Sequence, residues 1–220
     1  MKQHLIFDLD GTLIDSAPSI LHCFGLAFST TGTPLKAALN HDVIGPPLME
    51  SLRRLSGSED IAVLNTLAAA FKQHYDSSGI LESVVFDGVG EMLAQLKAAG
   101  HRLYIATNKR FYPTEKIVRH LAWQSLFDGV YALDYFTPAL KCKADMVGRI
   151  VADLALDTQD CLYIGDRLED GLSADANQMD FVLVTWGYAG DASLRKPHWR
   201  LCDQVADLPA RIAAFTDAPA

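Results

Sequence analysis

The stretch His4-Leu5-Ile6-Phe7-Asp8-Leu9-Asp10-Gly11-Thr12-Leu13-Ile14-Asp15-Ser16 sets a short, nearly continuous apolar run against an abrupt polar end. A run of this kind suits a strand buried on both faces. It stops at two carboxylates and a glycine, residues that favour a turn. The pattern recurs along the chain. Arg102-Leu103-Tyr104-Ile105-Ala106 ends at Thr107-Asn108, and Val130-Tyr131-Ala132-Leu133 ends at Asp134. Cys161-Leu162-Tyr163-Ile164 ends at Gly165-Asp166, and Phe181-Val182-Leu183-Val184 ends at Thr185. Helical patterns lie between these runs over 88–99, 113–121, 143–156 and 168–178. Gly100 stands where a helix would stop and Pro113 where one would start. Strands alternating with helices predict an α/β fold, a parallel sheet with helices on both faces.

Residues 15–85 break this alternation. They carry no strand-like run of similar strength and read as helices over 17–30, 48–55 and 61–77. The expected organisation is an α/β core from 1–14 and 86–220, with an inserted all-helical domain at 15–85.

Composition narrows the function classes. Half of the 220 residues are hydrophobic and 21% are charged, enough apolar material for a large core and too much for a disordered chain. Nineteen Lys and Arg against 27 Asp and Glu give a net charge of −8, and no basic run stands out, which argues against a nucleic-acid polymer as partner. No apolar stretch approaches the roughly 18 residues of a membrane span. Asp8 and Asp10 interrupt the N-terminal segment before a signal-peptide core forms. Cys23, Cys142, Cys161 and Cys202 are scattered without a CxxC pair, which speaks against a zinc site and a disulfide framework. A soluble cytoplasmic protein with reduced thiols is expected, its last residues, 216–220, frayed. Oligomeric state leaves no signature.

The chemistry is expected at the C-terminal ends of the strands, the edge where open α/β sheets bind ligands. Asp8 and Asp10, Thr107 and Asn108, and Asp166 with Asp170 in the following turn all fall there, and Lys141 and Lys143 precede the helix that feeds the Asp166 strand. Four converging carboxylates repel one another unless a cation compensates, and an oxygen-rich acidic site suits Mg²⁺. A lysine with Thr and Asn donors suits the phosphate that such a cation would help to hold.

These residues resemble the signatures of the haloacid dehalogenase superfamily. Phe7-Asp8-Leu9-Asp10-Gly11-Thr12-Leu13-Ile14-Asp15-Ser16 is similar to the first, Thr107-Asn108-Lys109 to the second, a lysine ahead of a helix to the third, and Gly165-Asp166-Arg167-Leu168-Glu169-Asp170 to the fourth, a GDxxxD pattern. Four motifs in order, each after the expected element, make a specific signal spread over essentially the whole chain. Ile44-Gly45-Pro46-Pro47-Leu48, Phe86-Asp87-Gly88-Val89, Ala174-Asp175-Ala176-Asn177 and Trp186-Gly187-Tyr188 resemble the branch of phosphoglycolate-phosphatase-like and 5′-nucleotidase-like enzymes. The resemblance implies a Rossmann-like core with a helical cap and Mg²⁺-dependent hydrolysis of a small phosphorylated metabolite through an aspartyl-phosphate. Phosphoglycolate, a nucleotide and a sugar phosphate all remain open as substrate.

Carried onto this chain, the resemblance makes Asp8 the nucleophile and Asp10 the general acid/base, with its backbone carbonyl on the metal. It places Thr107 and Asn108 on the phosphate, makes Asp166 a metal ligand and gives Asp170 a supporting role. A Lys-Pro-x-Pro-Asp version of the third signature selects Lys141, a Lys-Ala-Asp version Lys143. Both prolines are missing, which favours Lys143. Alternatives stand beside these roles: Thr107-Asn108 as a polar pair capping a turn, Asp170 as a first-turn acid on a helix dipole, Gly45-Pro46-Pro47 as a rigid turn rather than a substrate contact. Arg167 and Glu169 are expected to face solvent or pair locally, Arg53-Arg54 to lie on a solvated helix face, and Trp186 and Tyr188 either to pack or to stack near a substrate. None of the seven histidines shows ligand spacing. Phosphotransfer between sugar carbons is the alternative enzyme reading, although relatives of that kind usually carry Val at the position of Thr12. Pyrophosphate hydrolysis and a catalytically idle binding scaffold are the others.

Overall fold

The computed structural model describes residues 2–188 and 195–215; the predicted frayed end, 216–220, lies outside them. Strand β1 (His4–Phe7) runs through the middle of a six-stranded parallel sheet. It is flanked by β4 (Arg102–Thr107) and then β5 (Gly129–Ala132) on one side. On the other side lie β6 (Cys161–Gly165), β7 (Asp180–Val184) and β8 (Arg200–Cys202). His4 to Phe7 pair in register with Arg102 to Ile105 and with Cys161 to Ile164, which buries the apolar runs on both faces as their composition demands. Side chains alternate across the sheet. Leu5, Phe7, Leu103, Ile105, Leu162 and Ile164 face one apolar layer, to which α4 (Val89–Ala98), α5 (Phe111–His120) and α8 (Leu208–Ala213) contribute. Ile6, Tyr104, Ala106 and Tyr163 face the other, covered by α6 (Lys143–Asp153) and α7 (Leu168–Ala176).

The chain leaves β1, turns, and forms β2 (Ile14–Asp15), which pairs antiparallel with β3 (Val84–Val85). Between these short strands lie α1 (Ala17–Thr31), α2 (Leu48–Ser56) and α3 (Ile61–Tyr75). Helices α1 and α3 pack through Phe24, Phe71 and Tyr75, with ring centroids 4.5 Å apart for Phe24–Phe71 and 5.3 Å for Phe71–Tyr75. Gly32 and Gly57 end α1 and α2 in the left-handed conformation.

Element boundaries differ from the sequence expectation where side chains or turns intervene. Helix α5 starts two residues before Pro113, because Asp134 accepts the Phe111 N–H at 2.8 Å and Pro113 is tolerated inside the first turn. Helices α6 and α7 stop short of 156 and 178, where the chain turns through positive φ at Ala155 and Gln178. Leu133 leaves β5 for a single 3₁₀ turn. Strand β8, of three residues, and helix α8, of six, are too short to stand out in the sequence. No helix among the described residues is long and apolar enough to cross a membrane.

Candidate active site

The strand order reverses direction about β1 and β6, and the C-terminal ends of these two strands deliver Asp8 and Asp166 side by side. This is the switch point at which open α/β sheets bind ligands. Asp8 donates its backbone N–H to the Ile164 carbonyl at 2.9 Å, continuing the β1–β6 register one residue past the strand. The chain then folds tightly: the N–H groups of Leu13 and Ile14 reach the Leu9 carbonyl at 2.9 and 3.1 Å. Gly11 sits in this turn at φ +85°, and a Cβ there would lie 2.3 Å from an Asp166 oxygen. Glycine is therefore demanded both by backbone conformation and by the approach of the carboxylate.

Asp8, Asp166 and Asp170 are all buried, and one oxygen from each lies within 4.8 Å of the others. Lys143 enters from the first turn of α6, its Nζ 2.6 Å from Asp170 Oδ1 and 3.1 Å from Asp8 Oδ2. Asp170 Oδ2 accepts the Arg167 N–H at 2.9 Å. Asp166 Oδ2 accepts the Tyr188 N–H at 2.7 Å, and Thr12 donates its hydroxyl to Asp166 Oδ1 at 3.3 Å. Asp8 Oδ1 is buried with no hydrogen-bond partner among the described residues. Three carboxylates thus face a single ammonium, and an orphaned oxygen sits among them. A divalent cation would balance that charge and satisfy that oxygen, so the donor set fits one.

Burial pushes the Asp8 carboxyl up to about 6; the Lys143 ammonium pulls it down, and Asp170 and Asp10 push it back up. Burial, then the charges of Asp170 and Asp8, hold Asp166 well above the ordinary carboxylate range. Burial works against a charge on Lys143, but Asp170 and Asp8 outweigh it and hold the ammonium well above the ordinary lysine value.

Asp10 stands apart from this cluster. Its carboxylate accepts the Ser16 hydroxyl at 2.6 Å and the Lys109 ammonium at 2.9 and 3.0 Å. It faces a cavity of about 60 Å³ between the sheet edge and helices α1 and α3. Lys109 is buried and lies 4.8 Å from the centre of the Tyr75 ring. Beside it, Arg110 forms a two-pronged pair with Asp76 at the end of α3.

The structure places Lys143 in the acidic cluster and leaves Lys141 exposed. Thr107 and Asn108 are both buried at the end of β4. Thr107 accepts the Lys109 N–H at 3.2 Å, and the Asn108 amide turns towards Gly45, donating to its carbonyl at 2.9 Å. Two expectations need correction. Glu169 does not face solvent but accepts from Asn108 at 3.0 and 3.1 Å, because its position in the first turn of α7 aims it across the sheet edge. Arg167 does not pair locally: its guanidinium donates to the Tyr188 and His41 carbonyls at 3.1 and 3.4 Å, since the strand end projects it towards the loop that carries Gly45. Tyr188 packs as a tie, its hydroxyl accepting the Ser16 and Ala17 N–H groups and donating to Asp15 at 2.6 Å. Trp186 donates to the Thr12 carbonyl at 3.0 Å. Arg53 and Arg54 pair with Glu59 and Asp42 on an exposed face.

Sequence reasoning missed Lys109 and Ser16 as the partners of Asp10. Lys109 had a signal, since it shares the turn of Thr107 and Asn108; Ser16 had none beyond its nearness in sequence.

Residues 5–184 match the family described as haloacid dehalogenase-like hydrolase. The chain belongs to that family. The tyrosine-protein kinase PtkA of Mycobacterium tuberculosis is 34% identical over 84% of this chain, which spans only 63% of that relative's length. The phosphoglycolate phosphatase of Colwellia psychrerythraea is 34% identical over 90% of this chain and 92% of its own. The 5′-nucleotidase of Pseudomonas aeruginosa is 30% identical over 87% and 86%. Among solved structures, that of a predicted phosphatase from Clostridium acetobutylicum superposes with a TM-score of 0.86 at 26% identity, covering 97% of this chain and 99% of that one. The haloacid dehalogenase-like fold and the four signatures therefore coincide in one chain.

Proposed function

We propose that this haloacid dehalogenase-like chain is a Mg²⁺-dependent phosphatase that hydrolyses a small phosphate monoester through an aspartyl-phosphate on Asp8. The observation that carries this reading is the Asp8 carboxylate itself: buried, held at one oxygen by Lys143 and unpartnered at the other, among carboxylates that call for a divalent cation. Asp8 and Asp166 would hold that cation together with the Asp10 backbone carbonyl, Asp170 supporting them. When bound, the cation supplies charge neutralisation for the transferring phosphoryl group.

The remaining work falls to the chain's own side chains. An Asp8 oxygen bonds to phosphorus as the ester oxygen departs with its electron pair, and Asp10 gives that alkoxide a proton. Asp10 then takes a proton from water, the water oxygen bonds to phosphorus, and the Asp8–phosphorus link breaks to release inorganic phosphate. Lys143 offsets charge on Asp8 and the phosphoryl oxygens. The Thr107 hydroxyl and backbone N–H groups at 107–108 position the phosphate, while Ser16 and Lys109 orient Asp10 towards the cavity.

Residues 15–85 act in this reading as a cap on the core formed by 1–14 and 86–220, swinging on the β2–β3 pair. Asn108 and Arg167 reach across to the cap loop at Gly45 and His41, contacts that favour closure over a bound substrate. The phosphatase and nucleotidase names of the relatives support the reaction class, and the four unpaired cysteines support a reducing cytoplasmic setting. The test is phosphate release from phosphoglycolate, nucleoside 5′-monophosphates, sugar phosphates and pyrophosphate, with Mg²⁺ and with chelator. Metal-dependent release from monoesters is expected. Release that ignores the chelator, or confined to pyrophosphate, would overturn the reading.

A further inference from the structure

The leaving group of the substrate has to occupy the cavity that Asp10 faces, and the walls of that cavity show what it would meet. Ile20 and Phe24 of α1, Ile44 and Leu48 of the following segments, and Phe71 and Tyr75 of α3 give it an apolar wall. Phe24, Phe71 and Tyr75 form a continuous run of ring contacts. The only cations among the described residues lining the cavity are Lys109 and Arg110. Each already holds a carboxylate of the chain by both oxygens: Lys109 that of Asp10, Arg110 that of Asp76. A carboxylate on the substrate would have to displace one of these pairs or be buried without a counter-charge, and either is costly. An uncharged ring could lie against the apolar wall and leave both ion pairs intact.

We infer that the cavity selects phosphate monoesters whose leaving group is uncharged and apolar, and that it discriminates against those carrying a carboxylate. The inference rests on the phosphatase reading and names the substrate class for the same site. Asp76 is then a specificity-determining residue, because it occupies the guanidinium that a substrate carboxylate would otherwise bind.

Benzyl phosphate and phosphoglycolate test this directly, since both release an alkoxide rather than a phenolate. With Mg²⁺ and the full chain, kcat/KM for benzyl phosphate is expected to exceed that for phosphoglycolate at least tenfold. Asp76→Asn, which frees Arg110, is expected to narrow that ratio by raising phosphoglycolate turnover. Equal or better turnover of phosphoglycolate by the wild type overturns the inference and leaves the phosphatase standing. An unchanged ratio in folded Asp76→Asn protein overturns the role of Asp76. Dissociation constants on Asp8→Asn protein make the same comparison without turnover. Benzyl phosphate binding tenfold tighter there, with no hydrolysis by the wild type, keeps the pocket preference and overturns the phosphatase reading; equal binding overturns the preference.

Discussion

Lys141 and Lys143 are two residues apart and chemically identical, yet their surroundings are opposite: one lies in solvent, the other between Asp8 and Asp170. Replacing Lys143 by Met leaves both carboxylates uncompensated, and turnover is expected to fall about 10²–10³-fold, the scale for losing a charge-stabilising group. Lys141→Met should stay within about twofold, as exposed changes do. Comparable losses in both would remove Lys143 from the site. Asp8→Asn keeps size and shape but removes the proposed nucleophile, so phosphate release should drop by about 10³-fold or more while the circular dichroism spectrum is retained. Gly11→Ala pushes a methyl group onto Asp166, and a displacement of that order costs about 10²-fold in rate; a fully active Gly11→Ala protein would show that Asp166 does not need its present position. The acids were legible in the sequence because each follows an apolar run. The interactions that orient them were not: Asn108 and Glu169 meet across 61 residues, and no local pattern encodes that meeting.

At the scale of elements, the strands and helices that could be read were those with continuous apolar character or clear end signals. Strands β1, β4 and β6 fall where their runs predict, while β2 and β3, two residues each, exist only because they pair with one another. Edge strand β5 depends on the residue before it. Asp128 accepts the Leu103 N–H at 3.0 Å, the Lys97 ammonium at 2.5 Å and the Arg102 guanidinium at 3.1 Å, tying α4 and β4 to the start of β5. Burial pushes the Asp128 carboxyl up, but the Lys97 ammonium and the Leu103 N–H outweigh it and hold it below the usual value. A lowered folded-state value means that this contribution is complete above the unfolded value of about 3.9 and is lost as pH falls through the lowered one. Asp128→Ala should therefore cost up to about 1 kcal/mol at pH 7, the scale for solvent-screened pairs at the surface. Denaturant unfolding of the two proteins should show the gap closing below about pH 4; a gap that persists there would mean that Asp128 acts by packing alone.

For the molecule as a whole, the acidic cluster is a store of repulsion that folding tolerates and a divalent cation would relieve. Mg²⁺ at about 100 times its dissociation constant should stabilise the protein by about 2.7 kcal/mol, read as a rise in Tm that chelator reverses. Asp166→Asn should abolish most of that rise, and an undiminished rise would place the cation elsewhere. The position of Asp8 has a consequence of another kind. It hangs from β1, whose backbone is bonded to neighbours on both sides, so the amides of residues 5–8 can exchange with deuterium only when the sheet itself opens. If α1 to α3 act as the proposed cap, moving on the β2–β3 pair, their amides should exchange without the sheet opening. Mass spectrometry of deuterium uptake should find β1 among the slowest segments and α2 among the faster ones. The residue proposed to attack phosphorus would thereby be mounted on one of the slowest clocks in the protein.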